Sequence, residues 1–95
     1  MIYRDQPPHS GVQADPQALA LAALGWILAD EDRAMRLLAL TGLTPDGLRA
    51  GLTDSAVLGA VMDYLAAHEP DLVAAADALE IPPERLVRAA MELSR

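Results

Sequence analysis

Leu40-Thr41-Gly42-Leu43-Thr44-Pro45-Asp46-Gly47-Leu48 returns 38 residues later as Ala78-Leu79-Glu80-Ile81-Pro82-Pro83-Glu84-Arg85-Leu86, and this pair of segments decides the fold. In each, an apolar helix ends, an aliphatic residue (Leu43 or Ile81) turns inward, and Pro followed by an acid opens the next helix. Pro in the first helical position gives up only an N–H that has no intrahelical partner. The acid beside it meets the positive end of the new helix dipole. Gly42 is the residue type that ends a helix in the left-handed conformation. Two such turns imply helices joined by connections of a few residues, which is the grammar of a helical bundle.

Working outward, Asp15-Pro16 starts a first helix that runs to about Ala29, with Asp15 as cap. Its Leu19, Leu21, Ala22, Leu24, Trp26, Ile27 and Leu28 wrap nearly all round, so it is either central or partly covered by a partner. Asp30-Glu31-Asp32 starts a second helix that Gly42 stops. A third, barely two turns long, opens at Thr44-Pro45-Asp46 and contains Gly47 and Gly51. Thr53 or Asp54 caps a fourth, from Ser55 to His68, with Val57, Leu58, Val61, Met62 and Leu65 as its apolar stripe. His68 at its end stands where a helix dipole favours an imidazolium. Pro70 opens a fifth helix, to Leu79. Pro83 opens the last, with Leu86, Val87, Ala90 and Met91 inward and Arg85, Arg88, Glu92 and Arg95 outward. The expected fold is all-α, a compact bundle of about six short helices. Residues 1–14, with Pro7, Pro8, Ser10 and Gly11 and no periodicity, are expected to form a disordered tail, and 15–95 a single helical domain.

The offset of 38 extends beyond the two turns. Trp26 falls on Tyr64, Ile27 on Leu65, Glu31 on Glu69, Pro45 on Pro83 and Leu48 on Leu86, and the pairs from Pro16/Asp54 to Thr53/Met91 include six identities. Roughly three or four would arise from so Ala- and Leu-rich a composition. The excess is slight, but aromatic, acid and proline match in order, which suggests two pseudo-repeated three-helix halves.

Composition narrows the function classes. A chain of 95 residues buries about 60–65% of its unfolded surface, enough for one core and no second domain. The absence of Cys removes disulfides, thiolate metal ligands and Cys nucleophiles at once. Residues 1–8 lack the apolar stretch of a secretory signal. The longest apolar run, Ala18 to Ala29, falls short of the roughly 20 residues that span a bilayer. These features point to the cytoplasm. All seven basic residues are Arg, and fourteen acids give a net charge of −7. Such a surface repels phosphate backbones and anionic lipid, so neither nucleic acid nor membrane is the expected partner. The pairs Arg33/Arg36 and Arg85/Arg88 read as solvated faces with internal ion pairs.

Catalytic constellations are hard to assemble. His9 and His68 are the only histidines, and neither has a second ligand at helical spacing. Ser10, Ser55 and Ser94 lack a nucleophile signature, the acids lie mostly in first turns, and the glycines punctuate helices rather than following a strand. No catalytic residue, metal ligand or cofactor is expected, and the chain reads as a non-enzyme. A helix-turn-helix is the main rival: Leu38, Gly42 and Leu48, and again Ala76, Glu80 and Leu86, keep its spacing. Yet the would-be recognition helices open with Pro45-Asp46 and Pro83-Glu84, which aim carboxylates at the DNA backbone. A small-molecule-binding or enzymatic subunit is the second alternative.

The residues Ala22-Ala23-Leu24-Gly25-Trp26-Ile27-Leu28-Ala29-Asp30, Arg36-Leu37-Leu38-Ala39-Leu40-Thr41-Gly42-Leu43, Val61-Met62-Asp63-Tyr64-Leu65 and Ala67-His68-Glu69-Pro70 resemble a family of small bacterial helical proteins, domain of unknown function 3572. The resemblance covers about Ala18 to Leu93. It implies the helical fold and assigns no function. The family usually has Phe where this chain has Leu37 and Ala75; with no Phe anywhere, smaller side chains must fill this core.

Trp26 and Tyr64 are the only large rings outside the first 14 residues. They are candidate partner contacts, together with His68 and Glu69, and equally natural space-fillers. On the second reading, Trp26→Ala chiefly unfolds the domain. The resulting expectation is a protein-protein interaction or regulatory module whose partner is another protein or a second copy of itself.

Overall fold

The computed structural model describes residues 15–94, so the tail expected over 1–14 and the position of Arg95 lie outside the described residues. Within them the helices are α1 (Pro16–Leu28), α2 (Glu31–Thr41), α3 (Pro45–Ala50), α4 (Ser55–Ala67), α5 (Glu69–Leu79) and α6 (Pro83–Leu93). There is no strand among the described residues, and the fold is an all-α bundle. No helix there is long and apolar enough to cross a membrane.

The starts follow local chemistry. The Asp15 carboxylate accepts from the Gln17 N–H (3.0 Å), Asp30 from Asp32 (2.9 Å) and Arg33 (3.2 Å), the Thr44 hydroxyl from Gly47 (2.9 Å), and Asp54 from Ala56 (2.9 Å). Each satisfies an N–H that the first turn leaves without a partner. α5 and α6 have no side-chain cap and use Pro in the first turn instead.

The two turns share one device. Gly42 (φ 77°) ends α2, and Glu80 (φ 60°), 38 residues on, ends α5, both in the left-handed region. Gly42 N–H reaches the Leu38 carbonyl (3.0 Å), while Ile81 N–H reaches Ala76 (3.0 Å) and Glu80 N–H reaches Asp77 (3.1 Å). These bonds satisfy carbonyls that the last turn would otherwise leave bare. Leu43 and Ile81 then pack, half-buried, against the core.

Four boundaries or faces differ from the sequence reading. Gly51 lies past the end of α3 rather than inside it. α5 begins at Glu69, one residue before Pro70, because Pro is also tolerated second in a first turn whose N–H groups need no acceptor. His68 alone joins α4 to α5, so it faces a dipole at either hand rather than only the C-terminus of α4. On α6 the inward set is Leu86, Ala89, Ala90 and Leu93; Val87 is half-buried and Met91 is 62% exposed. Positions 86, 89, 90 and 93 follow the i, i+3, i+4, i+7 rhythm of one face, whereas 87 and 91 belong to its edge.

The core is aliphatic. Its largest fully buried side chains are Ile27, Leu37, Leu58, Val61, Met62, Leu65 and Leu86. Leu37 and Ala75, where the family resemblance places Phe, are both 0% exposed. The two halves pair as near equivalents: α1 packs on α2 as α4 does on α5, and the crossed pairs α1–α5 and α2–α4 match as well. α2 and α5 keep the offset of 38 at both ends, and buried positions recur at that offset, among them Ala23/Val61, Ile27/Leu65 and Leu48/Leu86. Gln17 donates to the hydroxyl of its own equivalent, Ser55 (3.2 Å). The equivalence fails at the third helices. α6 spans eleven residues and packs extensively on α4 and α1, whereas α3 stops after six and touches its neighbours only slightly.

Candidate functional site

Two polar corners and one apolar face are the places where this bundle offers chemistry. The corners are equivalent. At α1–α2, Trp26 is followed four residues later by the cap Asp30 and seven later by Arg33; at α4–α5, Tyr64 is followed by the cap His68 and by Asp71. One turn of helix on either side of a short link brings the first and last member of each trio together.

At the first corner the Arg33 guanidinium lies over the Trp26 ring, 3.7 Å from its centroid, donates to the Trp26 carbonyl and pairs with Asp30 at 3.4 Å. The stacked cation covers a ring that is only half-buried. At the second, the Tyr64 hydroxyl donates to Asp71 Oδ2 (3.0 Å), and Arg36 from α2 reaches the same oxygen at 2.6 Å. His68 Nδ1 lies 2.9 Å from the Tyr64 carbonyl, a contact made with Nδ1 protonated, and the two rings sit 4.6 Å apart. Burial pushes the Tyr64 phenol above its usual range, the bond to Asp71 adds to this, and Arg36 partly opposes it. A phenol held protonated in this way is no general base near neutrality, and the corner works as a lock between three helices. No group of three or more His, Cys, Asp or Glu side chains among the described residues is placed to hold a metal ion.

The four expected contact residues are therefore distributed as follows. Tyr64 is in the core at 6% exposure, with His68 half-buried against it and Glu69 exposed next along the chain. Trp26 belongs to the other corner, under Arg33. Their clamps, Arg33, Arg36 and Asp71, were not singled out from sequence as ring partners. The i, i+7 spacing across a one- or two-residue link is the signal that finds Arg33 and Asp71, whereas Arg36 arrives from a separate helix with no such signal.

The apolar face lies on α1. Leu21, Ala22, Gly25, Leu28 and Ala29 are all exposed and form one side of a helix that contains no charged residue. Leu21 is 42% and Leu28 48% exposed. The face continues into a groove of about 350 Å³ lined by Leu24, Leu28, Leu38, Pro45, Leu48, Arg49 and Leu52. α3 shapes this groove by stopping early: Gly51 is buried against Val57, where a Cβ would come within 2.5 Å of a methyl carbon, and Leu52 is left 39% exposed at the lip. A second apolar trough, along Pro83, Val87 and Met91, is interrupted by Glu84 and Arg88. The all-round apolarity of α1 was legible in sequence, but which part is left uncovered is set by tertiary packing.

No curated protein and no solved structure matches this chain. The family model described as "Protein of unknown function (DUF3572)" matches residues 13–95, a span that holds both corners, the α1 face and all six helices. The chain that resembles this family in its turns and helix junctions thus belongs to it.

Proposed function

We propose that the protein is a protein-protein interaction or regulatory module that works by presenting the α1–α3 face to another polypeptide. The observation that carries this reading is the uncharged strip of Leu21, Gly25 and Leu28, continuous with the groove at Leu52. On a chain of net charge −7, uncharged apolar surface is where a second polypeptide docks with the smallest desolvation cost. The polar side chains of the two corners already bind one another, which supports a non-enzymatic role. The acidic surface and the exposed Asp46–Arg49 pair at the start of α3 favour a protein over nucleic acid. Absence of Cys fits the bacterial cytoplasm as the setting.

A photo-crosslinking side chain at position 28 tests the reading against one at the exposed Val73 of α5. A discrete adduct from position 28 alone is the expected result; equal labelling from both, or none, counts against it. In a mobility-shift assay at low salt, micromolar protein should leave random duplex DNA unretarded.

A further inference from the structure

We infer that the polypeptide seated on the α1 face is a short amphipathic helix whose apolar stripe is flanked at both ends by Lys or Arg. The inference rests on the reading that this face is a docking surface, and charge and shape together select the occupant.

Charge sets the outline. α1 itself carries no charged residue, but acids stand at both of its ends. Asp15 caps it at the start, and the bond from Gln17 to Ser55 (3.2 Å) brings in Asp54, the cap of α4. At the other end Leu28 is followed by Asp30, Glu31 and Asp32. The cations nearby are already committed, Arg33 to Asp30 and Arg49, at the lip of the groove, to Asp46. Asp15, Asp54, Glu31 and Asp32 are exposed and have no cation beside them among the described residues. Caps and helix dipoles account for acids at these positions. The uncharged strip between the two groups makes them a recognition pattern, since an apolar surface bounded by negative charge favours a partner with the opposite outline. A second copy of this chain, nucleic acid and anionic lipid would each bring negative charge to the same two ends.

Shape sets the conformation. The side of a helix offers no free backbone N–H or C=O, so an extended peptide laid on α1 would leave its own backbone groups unpaired against an apolar surface. A helix satisfies its backbone internally and meets the strip with side chains alone. Leu21, Gly25 and Leu28 fall at i, i+4 and i+7, along one line of α1. In the middle of that line a Cβ on Gly25 would meet nothing within 4 Å, which leaves room between the two leucines for an aliphatic side chain of the partner. The groove beside it, bounded by Leu28, Leu48 and Leu52, takes a second. The 13 residues of α1 measure about 20 Å, so a helix lying along it meets both acidic ends when its basic residues are about 13–15 positions apart.

Fluorescence anisotropy of the full chain with a labelled peptide tests the inference. The probe is a helix of about 18 residues with leucines at i, i+4, i+7 and i+11 and lysines in both terminal turns. It should bind in the micromolar range, about tenfold or more tighter than a counterpart with Glu for Lys, and tighter by a similar factor than the same residues in scrambled order. Leu21→Gln combined with Leu28→Gln should weaken binding about tenfold, and Glu31→Gln combined with Asp32→Asn about threefold, while Val73→Gln on α5 leaves it unchanged. Raising NaCl from about 0.05 to 0.5 M should weaken the wild type about fivefold and the Glu31/Asp32 variant less. A cooperative circular-dichroism melt of each variant separates these effects from loss of fold. Equal binding of the lysine, glutamate and scrambled peptides, or binding indifferent to Leu21 and Leu28, overturns the inference. If the lysine peptide does not bind yet position 28 still crosslinks to a discrete polypeptide, the basic helix is wrong and the docking face stands. If position 28 captures nothing either, both fall.

Discussion

Glu80 holds the left-handed position that Gly42 holds in the other half, and the two residues do not bear it equally. A side chain in that region costs about 1–2 kcal/mol, offset in part by the lower unfolded-state entropy of a non-glycine residue. Glu80→Gly should therefore stabilise the domain by about 0.5–1 kcal/mol, and Gly42→Val destabilise it by at least as much, both measured by urea unfolding. Tyr64 gives a pH prediction. Its folded-state phenol titrates above the free value of 10, so its contribution is intact below pH 10 and disappears as pH rises through the higher folded value. The melting temperature of wild type should fall more steeply above pH 10 than that of Tyr64→Phe. Trp26, half-buried beneath Arg33, packs against the core only in part, unlike the buried Tyr64. Trp26→Ala should cost about 2 kcal/mol and leave the domain folded, as read by a cooperative melt. Ring identity was legible in the sequence; which ring sinks depends on Asp71 and Arg33, which reach back from the next helix.

At the scale of the element, caps and turns were the most readable features, because Asp15, Asp30, Thr44 and Asp54 act on N–H groups two or three residues away. Faces were less so. α6 has two adjacent apolar lines, and only tertiary contact selects 86/89/90/93 over 87/91. Met91→Gln should accordingly lie within about 0.5 kcal/mol of wild type, whereas Leu37→Ala, at a fully buried site of α2, should cost about 2–5 kcal/mol. The apolar face of α1 was half legible: apolar excess on α1 is local, but which part of it stays exposed depends on how the other helices pack around it.

At the scale of the whole molecule, six identities at one offset were a faint trace of a structural equivalence, since the ends of α2 and α5, the left-handed turns and the corner trios repeat while side chains change. Burial preserves the type of residue at a position more than its identity, so Ala23 and Val61 or Leu24 and Met62 fill like places. The first half finds its apolar cover largely in the second, whereas the second also packs α6 on its own α4. A peptide of residues 15–53 should be mostly unstructured by circular dichroism, and mixing it with 54–95 should raise helicity beyond the sum of the two.

α6, whose contacts with α1 and α4 are so extensive, also has a consequence in time. A ribosome adds about 5–20 residues per second, so α1 emerges several seconds before its main cover is made. During that interval an uncharged, leucine-rich helix has only α2, α3 and the nascent α4 and α5 for shelter. Premature termination before Pro83 should thus yield a chain that aggregates or is degraded, even though it still encodes five of the six helices among the described residues.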